Sequence, residues 1–147
     1  MSPITLRFLV EATDVGPGGH VHGGTVMKWI DQAGYACAST WASGPCVTMY
    51  ISSLRLRRVV RLGELVEVQA RLAFTGHTNM NITVELRSGP LGAALEKTTE
   101  CLVVYVAVDE HARPRPVNNW TPETPGEMAV ASAARAQFDS TRPAPLE

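Results

Sequence analysis

The sequence predicts an α+β domain with the element order strand, one long helix, then four strands, and three observations carry that expectation. A single long amphipathic stretch of helical period, residues 25–41, precedes the tail. Around it lie short segments whose apolar residues recur every second position, the period of a strand with one buried face. After His111 the composition shifts to proline and polar residues, with only a short alanine-rich stretch beyond. At 147 residues and 45% apolar content, the chain suffices for one domain with a sizeable core. Its expected bounds are residues 1–117, leaving 118–147 as a tail with a short helix and disorder beyond Asp139.

Residues 4–10 are rich in strand formers and read as a first strand, followed by the loop Asp14-Val15-Gly16-Pro17-Gly18-Gly19. Over residues 25–41, Val26, Met27, Ile30, Ala33, Gly34, Cys37, Ala38 and Trp41 share one broad face, and Lys28, Gln32, Tyr35 and Ser39 the other. Asp31 falls at the border between them. Gly44-Pro45 stops the helix. In residues 46–56, Val47, Met49 and Ile51 alternate with Thr48, Tyr50 and Ser52, which puts Thr48 and Tyr50 on one face. Residues 65–74 set Val66, Val68, Ala70, Leu72 and Phe74 against Glu67, Gln69, Arg71 and Ala73. The turn Thr75-Gly76-His77-Thr78-Asn79 then leads into residues 80–87, where Met80, Ile82, Val84 and Leu86 alternate with polar partners, the signal of a hairpin. Residues 100–109 form a nearly continuous apolar run, typical of a central strand. In the tail, Thr124-Pro125-Gly126-Glu127 introduces a helix over 128–138 that lacks a strong apolar stripe.

A net charge of −1 and a pI near 6.4 argue against a nucleic-acid partner. Three cysteines, an odd number set in apolar segments, read as reduced thiols. The first residues lack a signal-peptide pattern and no apolar run is long enough for a membrane span, so the expected compartment is the cytoplasm.

The stretch from His20 to Gly34 carries the chemistry. Gly23 and Gly24 stand at a helix mouth, where unpaired N–H groups and the positive end of the helix dipole suit an oxyanion and the missing Cβ admits a ligand. The plainer role of such a pair is to bend the chain into the helix. Asp31 lies two turns further. Against an apolar wall a carboxylate can activate water or attack a carbonyl, whereas most aspartates on amphipathic helices are only solvated. Gly23 and Asp31 are about 12 Å apart along a helix axis, too far for one carbonyl to meet both within one chain. If both act on it, two subunits share the site.

His20 and His22 have the spacing of a metal pair, yet no carboxylate or cysteine completes a ligand set, so they are expected to line the mouth of the site. No metal or cofactor is expected. Cys37 has no basic neighbour to make it a nucleophile. His77 reads as a turn histidine. Arg55, Arg57, Arg58 and Arg61 either hold phosphates through charge-assisted hydrogen bonds or stay solvated, and Arg113 and Arg115 pose the same choice.

In order, His22-Gly23-Gly24, Asp31, Thr48, Arg57-Arg58, Gly63-Glu64, Thr75-Gly76-His77-Thr78 and Tyr105-Val106-Ala107-Val108-Asp109 resemble the landmarks of the hotdog-fold acyl-CoA thioesterases, especially the bacterial and brain-type acyl-CoA hydrolases. The likeness runs from about Leu6 to Val117. It implies one long central helix wrapped by an antiparallel β-sheet, and a homodimer that joins two sheets, assembling further into a homohexamer, a trimer of dimers. It also implies that Asp31 is general base or nucleophile, that the N–H of Gly23 or Gly24 polarises the thioester carbonyl, and that Thr48 of the facing subunit places water. Arg57, Arg58 and Thr78 would hold coenzyme A, with His20, His22 and His77 beside it, and coenzyme A would enter only as part of substrate and product. The competing expectations are a non-catalytic acyl-CoA-binding hotdog module and a hotdog hydratase, for which no histidine–carboxylate pair is evident.

Overall fold

The structure, a computed structural model, describes residues 1–141. Strand β1 (Ile4–Leu9) is followed by a single 3₁₀ turn (Ala12–Asp14), then α1 (Gly23–Ala42), β2 (Cys46–Ile51), β3 (Leu65–Thr75), β4 (Asn79–Gly89), β5 (Glu96–Ala107) and α2 (Pro125–Thr141). The strands form one antiparallel sheet in the order β1-β3-β4-β5-β2, leaving β1 and β2 as its edges. Helix α1 lies against all five strands, and α2 packs on β3, β4 and β5. This is the expected helix wrapped by a sheet, with a C-terminal helix added.

The main core joins Val26, Ile30, Ala33, Cys37 and Ala38 of α1 to Val68, Ile82, Val84 and Val103 of the sheet. Trp29 is buried as well and meets Phe8 edge-on at 4.9 Å, while Met27, expected on the buried face, is 41% exposed. Met27, Asp31 and Tyr35 are spaced i, i+4, i+8 and so form a separate stripe of the helix. At the other end Ser43 adopts a left-handed conformation, and Arg115 Nη2 donates to the Ala42 carbonyl at 2.7 Å. Arg115 is thus a helix cap rather than a phosphate ligand.

Two bulges reverse the expected alternation. In β2, Thr48 pairs with Tyr105 but Tyr50 pairs with Val104, so Met49 is the extra residue. One inserted residue exchanges the two faces of everything after it. Thr48 and Ile51 therefore both face α1, and Tyr50 does not share the face of Thr48. In β3 the shift falls at Ala73, where Leu72 pairs with Ile82 and Phe74 with Asn81. Leu72 stays in the α1 core, and Phe74 turns to the opposite face, where it packs with Leu102, Ala134, Val130 and Phe138.

Strand β2 ends at Ile51, short of the expected residue 56. Ser52 N donates to the Leu102 carbonyl at 2.8 Å, but its side-chain Oγ accepts from Leu102 N at 2.9 Å in place of a main-chain oxygen. The chain then leaves the sheet for residues 52–64. Helix α2 begins at Pro125 because Thr124 caps it: Thr124 Oγ1 accepts from Glu127 N, and Glu127 Oε1 accepts from Thr124 N, both at 3.1 Å. It runs to Thr141, past the expected end at Phe138. The part of the expected disorder at residues 142–147 lies outside the described residues.

Candidate active site

Asp31 is half-buried, and its carboxylate is held from the sheet. Thr48 Oγ1 donates to Asp31 Oδ1 at 2.9 Å, and the Tyr105 hydroxyl donates to the same oxygen at 2.9 Å and approaches the Asp31 carbonyl at 3.2 Å. Thr48 and Tyr105 are cross-strand partners, so the bulge at Met49 sets which β2 side chain joins Tyr105 under the helix. Thr48 therefore acts beside the Asp31 of its own chain, whereas the resemblance put it across an interface. Burial, and next the Asp31 charge, push the Tyr105 hydroxyl far above its ordinary pKa, so it remains a proton donor. Among the described residues, none donates to Asp31 Oδ2.

Tyr105 was legible only as a landmark of the resemblance, not as a member of the site. One signal does mark it. It is the lone hydroxyl in the inward-facing series Cys101, Val103, Tyr105, Ala107, and a buried hydroxyl needs a partner. Gly34 belongs to the same unit: a Cβ there would lie 2.2 Å from Tyr105 Oη.

Exposed Met27 and Tyr35 flank Asp31 along α1. Val47 and Met49 are exposed on the edge strand, Met49 by 62%, with Val47 on the sheet face away from α1. Tyr35 Oη accepts from Cys46 N at 3.3 Å, tying β2 to the helix.

The helix N-terminus forms a second locus. Gly23 and Gly24 open α1, both exposed, and a Cβ on either would meet nothing within 4 Å. Thr25 and Val26 N–H bond the His22 carbonyl at 3.1 and 3.2 Å, which leaves the two glycine N–H groups as the unpaired donors of the first turn. Beside them is a cavity of about 340 Å³ with His20, Val21 and Val26 on one wall and residues 56–60 on the other. The walls are tied by Val21 N donating to Val60 O at 2.8 Å. Arg57 lines this cavity and is exposed; its own N–H bonds the Thr98 carbonyl at 2.8 Å. His22 is exposed at the helix cap, close over Gly16, where a Cβ would lie 2.6 Å from its ring.

Arg58 differs from Arg57. Its guanidinium forks onto Glu64 at 3.0 and 2.7 Å and donates to Ser88 Oγ at 2.7 Å, so it is tied to the fold while still lining the cavity. Glu64 is buried and also accepts from Arg61 N at 2.7 Å. The Arg58 hydrogen bonds hold its carboxyl below the ordinary glutamate range.

Thr78 and His77 lie elsewhere in the chain. Thr78 O accepts from Ala107 N, whereas Arg57 N bonds the carbonyl of Thr98, nine residues back along the same strand. At about 3.4 Å per residue the two attachment points are roughly 30 Å apart. One chain therefore brings together Asp31, Thr48 and Tyr105 at one place, and Gly23, Gly24, His20, His22 and Arg57 at another. Among the described residues no three His, Cys, Asp or Glu side chains group as a metal site, and no helix is long and apolar enough to cross a membrane.

Comparison with known proteins agrees with this architecture. The profile of the thioesterase superfamily matches residues 18–94. The chain is 34% identical over 119 residues to the acyl-CoA thioester hydrolase YciA of Salmonella typhimurium, covering 78% of this chain and 89% of that protein. An apo-hexameric acyl-CoA thioesterase superposes with a TM-score of 0.87 at 29% identity, covering 94% and 89% of the two chains. A hexameric thioesterase from Yersinia pestis superposes with a TM-score of 0.75 at 29% identity, covering 80% and 95%. A long helix wrapped by an antiparallel sheet, matched across nearly the whole chain, places this protein in the thioesterase superfamily, within its hotdog-fold acyl-CoA thioester hydrolase family.

Proposed function

We propose that the chain hydrolyses acyl-CoA thioesters to the free carboxylic acid and coenzyme A at a site shared by two subunits. The observation that carries this is the Asp31 carboxylate, aligned by Thr48 and Tyr105 and flanked along α1 by exposed Met27 and Tyr35. Such an apolar surface calls for a cover, and a second copy supplies the missing half: the α1 N-terminus with its glycine N–H groups. Homodimerisation through the β2 edge is then a condition of activity, and the hexameric relatives support a trimer of dimers. The buried free thiols Cys37, Cys46 and Cys101 suit the reducing cytoplasm.

In the mechanism Asp31 Oδ2 accepts a proton from water as the water oxygen bonds to the thioester carbon. Thr48, whose proton goes to Asp31, keeps lone pairs that accept a hydrogen bond from the same water. The resulting oxyanion is met by the Gly23 and Gly24 N–H groups of the second subunit. The C–S bond then breaks, and the coenzyme A thiolate leaves and takes up the proton that Asp31 accepted from the water, which restores the carboxylate. Direct attack by Asp31 on the carbonyl uses the same geometry. His20, His22 and Arg57 line the approach to one locus and His77 and Thr78 to the other, where the coenzyme A portion would lie. Asp31→Ala should lower thiol release across acyl-CoAs of graded length by about 100-fold or more in a folded protein. Near-parental turnover would remove Asp31 from the mechanism. Tight coenzyme A binding with no turnover on any acyl chain by the parent protein would instead mark a binding module.

A further inference from the structure

We infer that Tyr105 is a positioning residue for hydrolysis, whose hydroxyl pins Asp31 so that only Oδ2 faces the reacting water. The inference rests on the hydrolase reading above and adds a residue to it. An aspartate carboxylate turns about a broad, nearly two-fold torsion, so an unrestrained Asp31 would offer either oxygen over a range of angles. Here two hydroxyls from neighbouring strands converge on Oδ1, and the Tyr105 hydroxyl also approaches the carbonyl of the same residue. Backbone and side chain of Asp31 are thereby tied to one buried group.

The helix is shaped to admit that hydroxyl. Gly34 lies less than one turn beyond Asp31 and is buried, yet glycine weakens a helix interior. A Cβ at Gly34 would lie 2.2 Å from Tyr105 Oη and 3.0 Å from two ring carbons, so only glycine lets the hydroxyl reach Asp31. A tyrosine serving only to fill the core would need neither the contact with Oδ1 nor this gap.

The test is a cycle of Tyr105→Phe, Gly34→Ala and Thr48→Val, with Asp31→Ala as reference, assayed by thiol release from an acyl-CoA and by thermal melting. Phenylalanine keeps the ring and removes only Oη. Losing one hydrogen bond to a carboxylate should lower kcat about tenfold or more while KM stays unchanged. Adding Thr48→Val should lower it further. Gly34→Ala should reproduce the kcat loss by displacing the hydroxyl, and should cost much less when Tyr105 is already phenylalanine. The Gly34 arm also serves if Tyr105→Phe proves unstable. Parental kcat in Tyr105→Phe, with Asp31→Ala inactive, would overturn the positioning role alone. A raised KM at unchanged kcat would overturn it too, and an active Asp31→Ala would overturn the hydrolase reading itself.

Discussion

Arg57 and Arg58 are adjacent, chemically identical and line the same cavity, yet Arg57 is exposed while Arg58 is bound on three sides. The difference is the partner. Glu64 is buried, so its charge requires compensation, and the forked guanidinium of Arg58 supplies two parallel hydrogen bonds. Breaking such a pair leaves an uncompensated charge. Because Arg58 keeps about a fifth of its exposure, Glu64→Gln should cost roughly 2–3 kcal/mol of unfolding free energy at pH 7, less than a fully buried pair. The carboxyl is held below its ordinary range, so its contribution is complete above that range and fades as pH falls through the folded value. The stability gap between parent and variant should therefore be widest at neutral pH and close in acid. Denaturant titrations at several pH values measure it, and a gap that does not change with pH would contradict the assignment.

At the scale of elements, the bulges matter more than the strands they interrupt. The extra residue at Met49 lets Thr48 and Ile51 both reach α1, and the one at Ala73 sends Phe74 through to α2. Phe74 then meets Phe138 edge-on at 6.0 Å with Arg135 4.3 Å above its ring, which gives the alanine-rich α2 an aromatic anchor. Phe138→Ala should lower stability by about 1–2 kcal/mol, since Phe138 is only half-buried, and leave kcat unchanged, because α2 lies across the sheet from Asp31. Chemical denaturation beside a turnover assay checks both halves. Unaltered stability would mean that the aromatic contact does not hold α2.

For the whole molecule, the unpaired edge of β2 is the feature that calls for a second copy. An exposed apolar edge strand is a template for pairing with another chain, and Val47 and Met49 do nothing to block it. Met49→Asp should place a charge on that edge and convert the assembly to monomers, with loss of thiol release at every protein concentration that stays monomeric. Sedimentation velocity and activity on the same samples decide the matter. A monomer with full turnover would show that one chain suffices. The separation of the two loci within one chain, with Gly23 and Asp31 about 12 Å apart along α1, argues for the dimer on independent grounds.

Short-range pattern was enough to lay out α1, the β3–β4 hairpin, the inward series of β4, the central strand β5 and the glycine pair at the helix mouth, because helix and strand periods depend only on neighbouring residues. It also placed Asp31 at the border of the helix faces, where it is half-buried. The faces of Tyr50 and Phe74 were lost to bulges, since one extra residue inverts a period-two pattern without any local mark. Met27, expected on the buried face, is exposed, and Trp29, assigned to neither face, is buried, because the apolar face alone does not say which part the sheet covers. The partners of Asp31 lie 17 and 74 positions away, and those of Arg58 lie 6 and 30 positions away. Tertiary structure alone decided that Tyr105 reaches Asp31 and that Arg58 is spent on Glu64: a hydrogen bond depends on distance and direction in space, and strand register, which sets both, is fixed only when the sheet closes on the helix.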